Sequence, residues 1–154
     1  MNNDWSKLKR SSNGIPTYDS LIPYILEVIK NGEEVTNVVI KNRVCEFLNV
    51  PQHIVEEKYP NYPESESILH NRFSFAFSDL SKANAVDRVR RGVYKINENG
   101  ESLLDNYGDQ LTKKVLEERP EYMQYMNELK LRNERTGGAT IENVEENDEP
   151  KIEI

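Results

Sequence analysis

The sequence has one cysteine, Cys45, and two histidines, His53 and His70, in 154 residues. A lone thiol closes no internal disulfide, and no Cys/His spacing suits zinc. No stretch approaches the roughly 18 apolar residues that span a bilayer. Met1 to Ser12 is polar and lacks the apolar core of a secretion signal. No glycine-rich phosphate loop occurs, and nothing repeats at a period of roughly 20–50 residues. The length excludes a typical barrel enzyme or a two-domain dehydrogenase. These absences predict a cytoplasmic, non-membrane protein without metal or cofactor. One domain of ordinary size with an added helix or tail fits the length.

Charge is present but unevenly spread. The chain carries 20 basic and 27 acidic side chains, a net of −7. Residues 139–154 alone hold six acidic groups and one basic group, whereas Ile68 to Ile96 hold six basic and two acidic. Overall acidity argues against a generic nucleic-acid binder. The local basic cluster keeps a focused DNA site open, because phosphate contacts act locally.

Residues 1–15 are polar, end near Asn13-Gly14, and read as a flexible lead-in. From Ser20 or Leu21, apolar Leu21, Ile22, Ile25, Leu26 and Ile29 define a helix, with Gly32 as its stop. Pro23 then belongs in its first turn. Glu33 to Thr36 suits one short strand. Thr36 or Asn37 caps a second helix whose apolar face is Val39, Ile40, Val44, Phe47 and Leu48. Residues 51–58 suit one further helical turn, and Tyr59 to Pro63 is a loop. Glu66 to Ala83 is the most regular helix, with Leu69, Phe73, Ala76, Leu80 and Ala83 as its core stripe. Asn84 then closes it in a left-handed conformation. Ala85 to Val89 and Val93 to Ile96, around Arg90-Arg91-Gly92, read as a β-hairpin. Asn97 caps a helix to Gly108. Asp109 to Glu118 and Pro120 to Arg135 read as two more helices. Residues 137–154 read as an acidic disordered tail or linker.

The order helix, short strand, helix, long helix, hairpin, helix predicts an α+β, mostly helical fold. Specifically, it is the layout of a winged helix-turn-helix over 16–108, with a small β-hairpin wing and a C-terminal helical extension over 109–136.

Arg88, Arg90, Arg91 and Lys95 on the wing suit phosphate contact or a narrow minor groove. The alternative is a solvated tip whose arginines resist edge-to-edge pairing. On the long helix, Asn71, Ser74 and Ser78 suit base edges, and Arg72 and Lys82 suit phosphate or guanine. An ordinary wet helix face is the competing account. Phe75 lies among them, and large aromatics are usually covered, which favours packing over base contact. Glu-x-Lys, part of many metal-dependent nuclease sites, occurs at Glu56/Lys58, Glu128/Lys130 and Glu149/Lys151. With 20 Glu and 11 Lys, about one such pair arises by chance. None follows an acidic partner on a buried strand, so all three read as surface charge. His53 and His70 share no catalytic motif, and Cys45 reads as a small core residue.

Pro16-Thr17-Tyr18-Asp19, followed by Ile22-Pro23-Tyr24-Ile25-Leu26, resembles the opening of the N-terminal domain of Mrr-type restriction proteins. Asn71-Arg72 with Phe75-Ala76, then Leu80 and Ala83, is similar to that family's N-R-x-x-W-A helix. Arg90-Arg91-Gly92-Val93-Tyr94-Lys95-Ile96 is similar to its wing strand, and Glu98-Asn99-Gly100 to the E-x-G of its last helix. Phe75 stands where the family has Trp, Asn84-Ala85 where it has Gly-Leu, and Asn97 where it has Thr. The resemblance implies a winged-helix module binding double-stranded DNA. In the family such a module precedes a metal-dependent nuclease domain that cuts modified foreign DNA. This chain shows no catalytic motif, and its acidic end reads as a linker toward a nuclease domain or subunit. Two rivals remain: a protein-interaction module that dimerises through Tyr122, Met126 and Leu129 of the C-terminal helices, and a stand-alone transcriptional regulator.

Overall fold

Helix starts are set by short polar side chains that take up free backbone N–H groups. In a computed structural model, which describes residues 1–135, Thr36 accepts from the Val39 amide, Ser67 from that of His70 and Asn97 from that of Gly100. The caps open helices α2 (Asn37–Leu48), α4 (Ile68–Lys82) and α5 (Glu98–Tyr107). Helix α1 (Tyr18–Val28) and strand β1 (Val35–Thr36) precede them, and α3 (Gln52–Glu56) is a short turn between α2 and α4. Strands β2 (Val86–Arg90) and β3 (Val93–Ile96) form a hairpin, and α6 (Lys113–Glu117) and α7 (Pro120–Arg135) end the described chain.

The sheet has the order β1-β3-β2, all antiparallel. Val35 lies opposite Tyr94 and Thr36 opposite Val93, so the hairpin is anchored to the start of α2. The result is a mostly helical, winged-helix-like α+β fold. Helix α4 is its axis. Leu69, Phe73, Ala76, Leu80 and Ala83 are fully buried, as their spacing predicts. The Phe77 ring stacks on Tyr94 of β3 at 4.7 Å between centroids, joining α4 to the sheet. The left-handed Asn84 (φ 58° at the equivalent end of α2, Asn49; 54° at Asn84) closes α4.

Four expectations need correction. Residues 1–15 are not a loose lead-in. Ile15 is fully buried and Leu8 is nearly so. The Ser11 amide donates to the Ile15 carbonyl and that of Thr17 to Lys9, both at 3.0 Å, while Arg10 lies over the Trp5 ring. Asn13-Gly14 is the turn of this small loop, with Gly14 at φ +83°. Helix α1 starts at Tyr18, so Pro23 sits in its second turn rather than its first. It leaves the Asp19 carbonyl without a helical donor, a cost the burial of Pro23 and its apolar neighbours offsets. Val39 was assigned to the apolar face of α2, but it and Val38 are exposed. Residues 109–118 form a 3-10 turn (Gly108–Gln110) and the five-residue α6, not one helix. Leu111 and Leu116 are buried at separate points, which breaks the helical path between them. The acidic tail over 137–154 lies outside the described residues.

Candidate nucleic-acid interface

The wing follows from edge position and turn chemistry. Strand β2 pairs on one side only, so Asp87, Arg88, Val89 and Arg90 are exposed, with Val86 alone buried. Val89 is the extra residue of a bulge between Arg88 and Arg90, which increases local twist and splays the side chains. Gly92, at φ +76°, makes the tight turn after Arg91. Arg88, Arg90, Arg91 and Lys95 are thus all exposed and brought together on one hairpin. Arg90 faces Glu34 at 3.4 Å, and Lys95 lies opposite Asp87. Exposed pairs of this kind contribute about 0–1 kcal/mol, so a phosphate can displace the carboxylate.

The wing continues into the start of α2. The Asn37 amide donates to the Gly92 carbonyl at 2.8 Å, and the Asn37 side chain lies against Gly92. Val38 and Val39 are 59% and 40% exposed beside it. The sequence signal for this surface was the capping Thr36, then Asn37 and two adjacent valines, Val38 and Val39, which cannot both face inward from a first turn.

Helix α4 behaves differently. Arg72, assigned to phosphate or guanine, is 2% exposed and unavailable. Its Nη1 donates to the Ile15 and Pro16 carbonyls at 2.9 and 3.1 Å and to Ser11 Oγ at 2.9 Å. It fastens the N-terminal loop to α4. Position 72 follows Leu69 by three residues and precedes Ala76 by four, so it belongs to the core stripe by spacing. Asn71, Ser74 and Ser78 are half-buried along one narrow line. The Ser74 hydroxyl leans on the His70 carbonyl at 3.5 Å, within its own helix. Lys82 is half-buried, with its ammonium 5.7 Å from the centre of the Tyr125 ring. Phe75 is buried, as favoured over base contact, with its ring centroid 5.5 Å from that of Tyr18 in α1.

The cover over α4 is held by a polar cluster that the sequence reading missed. Asp79, 3% exposed, accepts from Lys113 of α6 at 3.2 Å and from the Tyr122 hydroxyl of α7 at 3.3 Å. Lys113 also lies over the Tyr18 ring, 5.1 Å from its centre. Tyr122 and Leu129 of α7 are buried within the chain. They are therefore unavailable for the dimer contact assigned to them, whereas Met123 and Met126 are exposed.

Among the described residues, no group of three or more His, Cys, Asp or Glu side chains could hold a metal ion. Burial raises the Cys45 thiol to about 11, which keeps it protonated and unreactive near neutrality. No helix among the described residues is long and apolar enough to cross a membrane.

The family model of the Mrr N-terminal domain matches residues 18–106. The match runs from the first residue of α1 to the penultimate residue of α5 and includes the whole wing. The chain belongs to the Mrr N-terminal domain family, which associates it with Mrr-type restriction systems. No curated protein and no solved structure matches it.

Proposed function

We propose that this chain is a double-stranded DNA-binding module of an Mrr-type restriction system that directs activity to modified DNA. The observation that carries the reading is the wing: four cationic side chains, all exposed, on a twisted edge hairpin. Arg88, Arg90 and Arg91 would hold phosphates, with Lys95 beside them. Asn71, Ser74 and Ser78 would offer hydrogen bonds to base edges along the narrow open line of α4. Lys82 would add a phosphate contact once released from Tyr125. Arg72 has no part in this site. Cleavage would belong to a nuclease domain or subunit, since the described residues hold no metal-ligand group.

Fluorescence-anisotropy titration of a 20-base-pair duplex at several salt concentrations tests the reading, with modified and unmodified duplexes in parallel. Saturable binding that weakens with salt is expected. Absence of binding at low salt would leave protein interaction as the better account. The exposed Met123 and Met126 of α7 favour that second reading, and sedimentation equilibrium would then show self-association.

A further inference from the structure

The wing concentrates positive charge more than any other part of the sequence. Arg88 to Lys95 hold four basic groups and no acidic one in eight residues, and no other stretch of that length holds four. All four side chains are exposed. Arg88 and Arg91 form no ion pair with another described residue. Arg90 already takes a carboxylate, that of Glu34, at 3.4 Å, and an exposed pair of this kind is weak enough to be exchanged. Glu142 to Glu149, beyond the described residues, hold five acidic groups and no basic one, also in eight residues.

The packing of α7 sets where that acidic stretch starts. The Tyr122 hydroxyl meets Asp79 at 3.3 Å, and three residues further along both helices the Tyr125 ring lies 5.7 Å from the Lys82 ammonium. Helix α7 therefore runs parallel to α4. It continues for ten residues past Tyr125 to Arg135, about 15 Å. Helix α4 ends at Lys82, and four residues later the chain has entered β2. From Val86 the wing turn at Gly92 is at most about 20 Å away along the strand. Laid end to end, the helix overhang and the strand come to about 35 Å. Residues 136–149 span up to about 46 Å, so the acidic stretch reaches the wing.

We propose that Glu142 to Glu149 dock on the wing of the same chain and compete there with the phosphates of DNA. The contact stands on charge and reach, and the competition rests on the DNA reading above. Five carboxylates over eight extended residues give one negative charge per about 5 Å. A DNA strand carries one per about 3.4 Å, so DNA is the stronger occupant and displaces the stretch. Tethering gives the stretch an effective concentration in the millimolar range. That suffices to occupy the wing at low salt through contacts too weak to form between separate chains. A duplex that makes only a few phosphate contacts then loses to the acidic stretch, and a fully engaged one does not.

The test uses the full chain. A nitroxide on Asn147→Cys, in a Cys45→Ala background, should broaden the amide signals of Arg88 to Val93 in about 20 mM salt and release them in about 500 mM salt. The broadening should persist on dilution with unlabelled chain. Glu142→Gln, Glu145→Gln, Glu146→Gln, Asp148→Asn and Glu149→Gln together should tighten duplex binding about three- to ten-fold at low salt and leave it unchanged at high salt. The gain should shrink in a chain that also carries Arg90→Ala and Arg91→Ala, which separates a local contact from a change in net charge. Wing broadening without duplex binding would sink the DNA reading and leave the contact standing. Duplex binding with unbroadened wing signals, or with equal affinity in the five-fold variant, would overturn the proposal. So would broadening at Lys7, Lys9 and Arg10, or at Met123 and Met126, in place of the wing. Broadening lost on dilution would assign the stretch to a second copy and overturn it as well.

Discussion

The Lys82 ammonium lies 5.7 Å from the centre of the Tyr125 ring, so α7 covers the end of the helix that carries the half-buried line of Asn71, Ser74 and Ser78. A cation–π contact at a partly exposed site contributes about 0.5–1 kcal/mol. Binding that uses Lys82 must first give up this contact. Tyr125→Ala is therefore expected to tighten duplex binding about two- to five-fold and to steepen its salt dependence. Unchanged affinity in a folded variant would show that Lys82 never leaves the ring.

The wing and Arg72 make opposite predictions, although all are arginines in one stretch of sequence. Replacing Arg90 and Arg91 by Ala should lower affinity on every duplex and flatten the salt slope by about 1–2 units. Stability should hardly change, because both side chains are exposed. Arg72→Ala should instead lower the melting temperature, since it strands the Ile15 and Pro16 carbonyls. A thermal melt paired with anisotropy at three salt concentrations separates the two roles.

These arginines also show what was legible in the sequence. The repeat of Leu69, Phe73, Ala76, Leu80 and Ala83 placed α4, because apolar spacing reports directly on burial. The wing was legible because a glycine turn between β-branched runs has few other solutions. Arg72 and Asp79 were not legible as core residues, because charge in a sequence ordinarily signals exposure, yet they are 2% and 3% exposed. Each lies within the core stripe by spacing, and each is satisfied by partners far away in sequence: Ser11, Ile15 and Pro16 for one, Lys113 and Tyr122 for the other. The packed N-terminal loop was hidden for a different reason, since its buried Leu8 and Ile15 form no periodic pattern. Leu80→Ala checks the legible part, and a loss of about 2–5 kcal/mol is expected in denaturant melts.

Gly100 gives a sharper stability test. A Cβ at this position would sit 2.1 Å from the Ala85 carbonyl oxygen and 2.9 Å from Ile96 Cγ1. The nearer atom is backbone and cannot swing aside. Asn97 and Asn99 pin that turn by donating to the Asn84 carbonyl, at 2.9 and 3.1 Å. Gly100→Ala should cost about 1–3 kcal/mol, despite the better helix propensity of alanine. An increase in stability would mean that α5 can lift away from the turn between α4 and β2.

Alkaline pH should loosen the cover over α4. Burial, followed by the charge of Asp79, raises the Tyr122 hydroxyl from 10.0 to about 12. Burial opposes the charge on Lys113, but its hydrogen bond to Tyr18 and the field of Asp79 outweigh this and hold it above the ordinary lysine range. Both groups bind their protons more tightly in the folded chain than in the unfolded one. Between about pH 10 and 12 the folded state therefore keeps protons that the unfolded state has released. The stabilisation is complete below pH 10 and is lost as the pH climbs toward 12. Melting temperatures measured from pH 8 to 12 should fall across that window. Tyr122→Phe removes one of the two titrating groups, so its curve should start lower at pH 8, lacking the bond to Asp79, and then fall less steeply. Parallel curves for the two proteins would show that the alkaline loss arises elsewhere in the chain.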